Sequence, residues 1–470
     1  MATAYKINVP ATNTGLWKFD QTDATASKVS ELLQEDLEKH HVFFNNDGFH
    51  NHIPHHVLAL FGTGAGADAI QMAYKGNQDY QRPAKSARDT VTDELRSWEK
   101  AKNYFGKEKH YPDFLRFFQR EIEKLGWEAV LNEHLFKGDE RADELFRRMF
   151  SGFMHPIIQL MYGVEWEQPA IIAEALAQAA VHRNQLKTFF DETEKRAAAQ
   201  TTPMPLIADL VDEVRQSQKL AKAAELKEVN AIYHGILKSA PEELLRIASK
   251  VKVRPEELDE RTAEMFHATF YVAGGAALRP GKEAKWDFFL IHHTNAAPMF
   301  LSFNSKPWIS TENKVRMLEH KIRLDLVQYA SRGCPPLRVE DIKSYRPKDT
   351  DQGKSLVPKL TGKVPSSTHS ELWLTDDTDL LPRFYNIADD GHTIKVVRSL
   401  GICHELLSKY DEKPWIRIKG DEWLNLTYML LDGTEHDETR WARSAGFPDA
   451  WKDIPARDWL ADGDWNTSRL

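Results

Sequence analysis

The sequence predicts an all-α protein, mostly helical with few short strands, folded as one large multi-helix domain over residues 1–470. Three observations predict it. Apolar residues recur at helical spacing through most of the chain. Convincing period-2 alternation is scarce. No stretch alternates strand with helix as a parallel sheet requires.

The first stripe starts at Ser27 and carries Val29, Leu32, Leu33 and Leu37, with acidic residues between them. Similar stripes occupy Asp113–Leu125, Glu140–Met161, Ala170–Phe190, Pro205–Leu220, Leu226–Leu237, Glu242–Val251 and Lys314–Ala330. Trp415–Ile418 is the best candidate strand. Gly274–Lys285 reads as a turn between helices. Tyr345–Thr368, rich in Pro, Lys, Ser, Thr and Gly, reads as a long surface loop. Gly62-Thr63-Gly64-Ala65-Gly66 follows a helical pattern and lacks the spacing of a dinucleotide fingerprint, so it reads as a helix end and turn.

Composition removes several function classes. Hydrophobic residues make up 41% and charged residues 28% of 470 residues, which is ordinary for a globular chain. A net charge of -8 without basic runs argues against a nucleic-acid partner. Two cysteines, Cys334 and Cys403, exclude a disulfide framework and a Cys-rich zinc site. Met1–Asp20 lacks the pattern of a signal peptide, and no apolar run reaches the about 18 residues that span a bilayer. A soluble cytoplasmic protein is expected, with no membrane or nucleic-acid partner. The terminal Ser468-Arg469-Leu470 resembles a peroxisomal import signal, which keeps that address open.

Nineteen histidines are the most informative count. His50, His52, His55 and His56 crowd around Pro54, which suits the first turn of a helix. His52 and His56 are spaced i, i+4, and the group reads equally as metal ligands or as a polar cap. His155 lies among apolar residues, where a satisfied core histidine is the commoner outcome. His292 and His293 follow a stretch in which five of six residues are apolar or aromatic. Adjacent helical residues diverge, so only one of that pair can face a given site. His392 and Lys395 share a helical face after the Asp389-Asp390-Gly391 turn.

Taken together, these pieces resemble the questin oxidase-like family of fungal polyketide-tailoring oxygenases. The matching stretches are His-Asn-His-Ile-Pro-His-His-Val-Leu-Ala-Leu (50–60), Asn77–Pro83 ending Tyr-Gln-Arg-Pro, Phe-Met-His-Pro (153–156), Asp-Phe-Phe-Leu-Ile-His (287–292) and Gly-His-Thr-Ile-Lys-Val-Val-Arg (391–398). The resemblance implies oxidative ring cleavage of an aromatic polyketide such as an anthraquinone. It also implies a metal set of His52, His155, His292 and His392, with Lys395 in the recurring His-x-x-Lys. Asn295 departs from the hydroxyl residue expected three places after the third histidine.

A lysine at such a centre is constrained electrostatically. At ~4 Å from a divalent cation and an effective dielectric near ~20, an ammonium is repelled by roughly 8 kcal/mol. Moving its pKa from about 10.4 to about 7 costs only about 4–5 kcal/mol. Lys395 is therefore expected to be neutral there and able to form a carbamate with carbon dioxide, supplying the oxygen donor that imidazoles lack. The expected enzyme is a non-heme Fe(II) oxygenase using O2, a dioxygenase rather than a monooxygenase, with His56 as the base that deprotonates a phenol. Two other readings stand beside it: a Baeyer–Villiger-type monooxygenase that uses NADPH without a flavin domain, and a zinc-dependent hydrolase. A third, non-catalytic reading makes the histidines caps and packing. His369-Ser370-Glu371 offers a facial-triad pattern on paper, but exposure at the end of the polar loop is the plainer reading.

Overall fold

The computed structural model describes residues 1–226, 230–351, 380–436 and 439–459, with the side chains of residues 350 and 351 excepted. Of the described residues 61% are helical and 2% are in strand, an all-α protein. Among the described residues the extended pairing is confined to isolated bridges, His40 with Pro83, Phe43 with His50, and Asp287 with Ala442. Two compact units are present. The first comprises residues 1–191, 298–320 and 388–398, and the second comprises residues 192–297, 321–387 and 399–470.

In the first unit, α1 (Asp23–Lys39), α2 (Ile53–Phe61) and α3 (Ala67–Gln78) pack on one another. Thr22 caps α1 by accepting from the Thr25 N–H, and Val29, Leu32 and Leu33 form its buried stripe. Further along come α4 (Tyr111–Leu125), α5 (Glu140–Arg148), α6 (His155–Glu165) and α7 (Pro169–Val181). Helix α7 is buried along its whole length and packs against both α4 and α6, while α2 also packs on α6. Its run of alanines permits that close approach.

In the second unit, α8 (Ile207–Gln216) and α10 (Leu290–Ala296) pack against α9 (Leu258–Gly275). The chain continues through α11 (Thr311–Ser331), whose residues up to His320 belong to the first unit, α12 (His392–Leu407), whose residues up to Arg398 belong to the first unit, and α13 (Glu422–Thr434).

The structure corrects several sequence expectations. The stripe Glu140–Met161 is two helices, not one, because the backbone reverses at Gly152, Phe153 and Met154, whose φ values are 56°, 53° and 64°. An added Cβ at Gly152 would lie 2.6 Å from the His182 ring, so glycine is needed twice over. Ala170–Phe190 likewise divides into α7 and a separate helix, Lys187–Ala198. Trp415–Ile418 is irregular rather than a strand. The backbone N–H groups of Arg417 and Ile418 both donate to His267 Nε2, at 3.0 and 3.2 Å, in place of a neighbouring strand. The loop expected from Tyr345 starts with a buried residue, since the Tyr345 hydroxyl donates to Asp432 at 2.8 Å. Most of Tyr345–Thr368 lies outside the described residues, as do His369-Ser370-Glu371 and Ser468-Arg469-Leu470. The glycine-rich stretch after α2 is the expected helix end and turn, with Gly64 at φ 86°. Among the described residues no helix is long and apolar enough to cross a membrane.

Candidate metal centre

Three helices of the first unit begin at a histidine. His52 is the N-cap of α2, with Pro54 in the first turn. The capping is done by its neighbour: Asn51 Oδ1 accepts from the Ile53 N–H at 2.9 Å, and Asn51 Nδ2 donates to Asp36 at 2.8 Å. His52 is thereby free to turn its ring elsewhere. His155 opens α6 directly after the Gly152 reversal. His392 opens α12 after a turn closed by Asp389, which accepts from the Gly391 N–H at 2.7 Å, the Thr393 N–H at 2.9 Å and the Thr393 hydroxyl at 2.7 Å.

These three histidines are buried, and one ring nitrogen from each falls within 4.8 Å of the others. His52 Nε2 and His155 Nε2 are 2.9 Å apart. The opposite nitrogens are occupied. His52 Nδ1 donates to Asp390 Oδ2 at 2.7 Å, His392 Nδ1 donates to Asp390 Oδ1, and His155 Nδ1 donates to the Gly152 carbonyl at 2.6 Å. Fixing Nδ1–H in this way leaves each Nε2 as a lone pair, the arrangement that orients imidazoles toward a metal. Burial lowers the His52 pKa to about 4, against the opposing pull of Asp390, so the imidazole is neutral at neutral pH. The donor set therefore fits a transition-metal ion, and a single carboxylate steadies two of its ligands.

Lys395 is buried one turn beyond His392, its Nζ 3.1 Å from His55 Nδ1. Burial lowers its pKa to about 8, although Asp390 and Asp389 pull it upward. His55 is held well below its ordinary value by burial and by Lys395. His56 packs against Gly391, where an added Cβ would come within 2.4 Å of its ring, and Asn77 Nδ2 stands 3.4 Å from its Nδ1. Burial lowers the His56 pKa to about 4, with Asp389 opposing. Helix α12 is anchored onto α6 by a buried ion pair between Arg398 and Glu165, and the rings of Tyr162 and Trp166 flank the guanidinium.

Of the residues singled out in the sequence, His52, His155 and His392 come together, with Lys395 and His56 on the same two helix starts. His292 lies in the second unit, on α10, where its Nδ1 donates to the Phe288 carbonyl at 2.7 Å. Asn295, buried on the same helix, is the departure noted above. The sequence reading did not single out Asp390, although Asp-Asp-Gly-His was in view. It also passed over His182, whose Nε2 is 2.8 Å from that of His50, while the His50 ring stacks on His155 with centroids 4.0 Å apart.

Comparison with known proteins now bears on this centre. The model of the questin oxidase-like family matches residues 49–400, which contain all of these histidines. The chain belongs to the questin oxidase-like family. Relatives include the Baeyer-Villiger oxidase ptaJ of Pestalotiopsis fici, 34% identical over 97% of this chain and 99% of that protein. A questin oxidase of Aspergillus fumigatus is 33% identical over 97% of this chain and all of the relative, 100%. The oxidoreductase AflY of Aspergillus parasiticus is 33% identical over 94% of this chain and 86% of its own. Membership in the questin oxidase-like family makes this chain an oxidoreductase.

Proposed function

We propose that the protein cleaves a ring of an anthraquinone-type aromatic polyketide oxidatively, using O2 at a non-heme Fe(II) held by His52, His155 and His392, within secondary metabolism. The observation that carries this reading is the convergence of three buried imidazoles whose outer nitrogens are all engaged. A questin oxidase among the relatives supports the substrate class. The iron would supply activation of dioxygen.

The protein's own groups account for the rest. Three helix N-termini meet at the site and carry partial positive charge, which favours an anionic guest such as a phenolate. His56, neutral and buried beside Asn77, is the base that takes the phenolic proton. Burial of the site excludes water and strengthens each of these interactions. Lys395, buried and reduced in basicity, adds carbon dioxide as a neutral amine: a nitrogen–carbon bond forms, one proton leaves, and the carbamate oxygen becomes a donor. Loss of the added carbonyl carbon signal in protein grown with labelled carbon dioxide would remove that step.

The test is elemental analysis of protein purified without a histidine tag, alongside His52→Ala and His392→Ala. About one iron per chain, lost in both variants, together with O2 uptake on adding an anthraquinone, is the expected result. Stoichiometric zinc with no O2 uptake overturns it in favour of a hydrolase. His292, carried into the ligand set by resemblance, is tested the same way. Loss of metal in His292→Ala adds it, and full metal leaves the three histidines with Lys395. The Baeyer-Villiger names of several relatives favour a second reading, a monooxygenase drawing on NADPH. O2 uptake that requires NADPH selects it, and uptake without NADPH selects the dioxygenase.

A further inference from the structure

The stretch Asn77–Pro83 supplies none of the three clustered histidines, yet it shapes the surface beside them. Arg82 staples a hairpin-like loop over residues 43–50: its Nε donates to the Phe43 carbonyl and its Nη1 to Asn46 Oδ1, both at 2.9 Å. The loop is closed at its foot by the Phe43–His50 bridge and by the Phe44 N–H donating to the Phe49 carbonyl at 2.8 Å. Asn45 Oδ1 accepts from the N–H groups of Asp47 and Phe49, which fixes the tip.

The loop holds apolar rings in view of solvent. Phe49 is 51% exposed and Tyr80 is 42% exposed, against a chain whose other aromatic rings are mostly buried. Phe44 sits between them, 5.9 Å from Phe49 and 5.1 Å from Tyr80 by ring centroid. This cluster adjoins the centre. His50, the next residue after Phe49, stacks on His155. The Tyr80 hydroxyl donates to Asn77 Oδ1, and Asn77 faces His56. Burial, Asp390 and Asp389 all raise the Tyr80 pKa, so the phenol stays protonated within electrostatic reach of the carboxylate that orders His52 and His392. Phe44 meets Phe49 at 45° and Tyr80 at 75°; grouped exposed aromatics are costly in water and mark contact sites, and an aromatic face accepts any flat π system.

We propose that Phe44, Phe49 and Tyr80 form a platform on which the fused rings of a flat polycyclic phenol stack before it enters the histidine centre, with Arg82 holding the platform in shape. This inference rests on the functional reading above and names the subsite that selects its substrate class. It assigns Phe49 and Tyr80 to specificity, apart from metal binding.

The experiment measures binding of 1,8-dihydroxyanthraquinone to the full chain by tryptophan quenching, in wild type, Phe49→Ala, Tyr80→Ala, Tyr80→Phe and Met72→Ala. Met72 is an exposed apolar residue on α3 outside the ring cluster and serves as control. Binding weakened about tenfold in Phe49→Ala and in Tyr80→Ala is expected. Tyr80→Phe keeps the ring and should bind like wild type, as should Met72→Ala, with metal content unchanged throughout. Unaltered affinity in both alanine variants overturns the platform while leaving the functional reading intact. Failure of the wild type itself to bind overturns both. Equal weakening in Met72→Ala reduces the effect to loss of surface hydrophobicity and overturns the platform as well.

Discussion

Two histidine–carboxylate pairs with buried rings, one in each unit, have opposite characters. In the first unit Asp390 accepts from His52 and His392, while the Lys395 ammonium that acts on it electrostatically has its Nζ 3.1 Å from His55 Nδ1. In the second unit Asp325 accepts from His293 Nδ1 at 2.5 Å and is bound by the buried Lys321 at 2.5 and 2.7 Å. Burial lowers the pKa of His52 and of His293 alike. A histidine next to an aspartate therefore does not make a metal site. What distinguishes the first centre is that one carboxylate holds two imidazoles and that a third imidazole joins them at the same place. The second pair is already neutral as an ion pair and reads as structure.

This contrast can be broken by experiment. The largest effect should come from Lys321→Met, which strands Asp325 without its cation and should cost about 3–5 kcal/mol of stability, read as a lower denaturant midpoint. A midpoint like wild type would mean the second pair is not held by charge at all. Next, Asp390→Asn keeps one acceptor but cannot serve two N–H groups as an anion, and should weaken metal retention about 10–100-fold in a chelator competition, with little change in unfolding. Metal held as tightly as in wild type would erase the distinction between the pairs. The smallest effect belongs to Asp389→Ala, which removes the cap of α12 and should cost about 1 kcal/mol in thermal unfolding. A loss of metal larger than the loss of stability would show that the cap also positions His392.

Much of the fold was legible because periodicity reports directly on buried stripes. Val29, Leu32 and Leu33 bury as their spacing requires, and Pro54 places His52 at a helix start. The break at Gly152 was not legible, since apolar residues continue at helical spacing on both sides and only the ring of His182 demands the reversal. Trp415–Ile418 alternates like a strand, but its N–H groups are satisfied by a histidine 150 residues away in sequence. At the site, the ligand candidates stood out by type and context. Asp390 did not, because its partnership with His52 joins residues 338 apart, which no local pattern encodes.

The first unit takes its final piece from residues 388–398, which bring Asp389, Asp390, His392, Lys395 and Arg398. During synthesis, nearly two hundred residues separate Asp191 from that piece, roughly 10–40 s of translation at about 5–20 residues per second. Throughout that interval Glu165 is a nascent-chain carboxylate lacking Arg398, and His52 and His155 face no third imidazole. The amino-terminal helices gain their contacts with residues 388–398 only once the ribosome has delivered that segment. The histidine set proposed above to hold the metal is complete only in chains whose synthesis has run past His392.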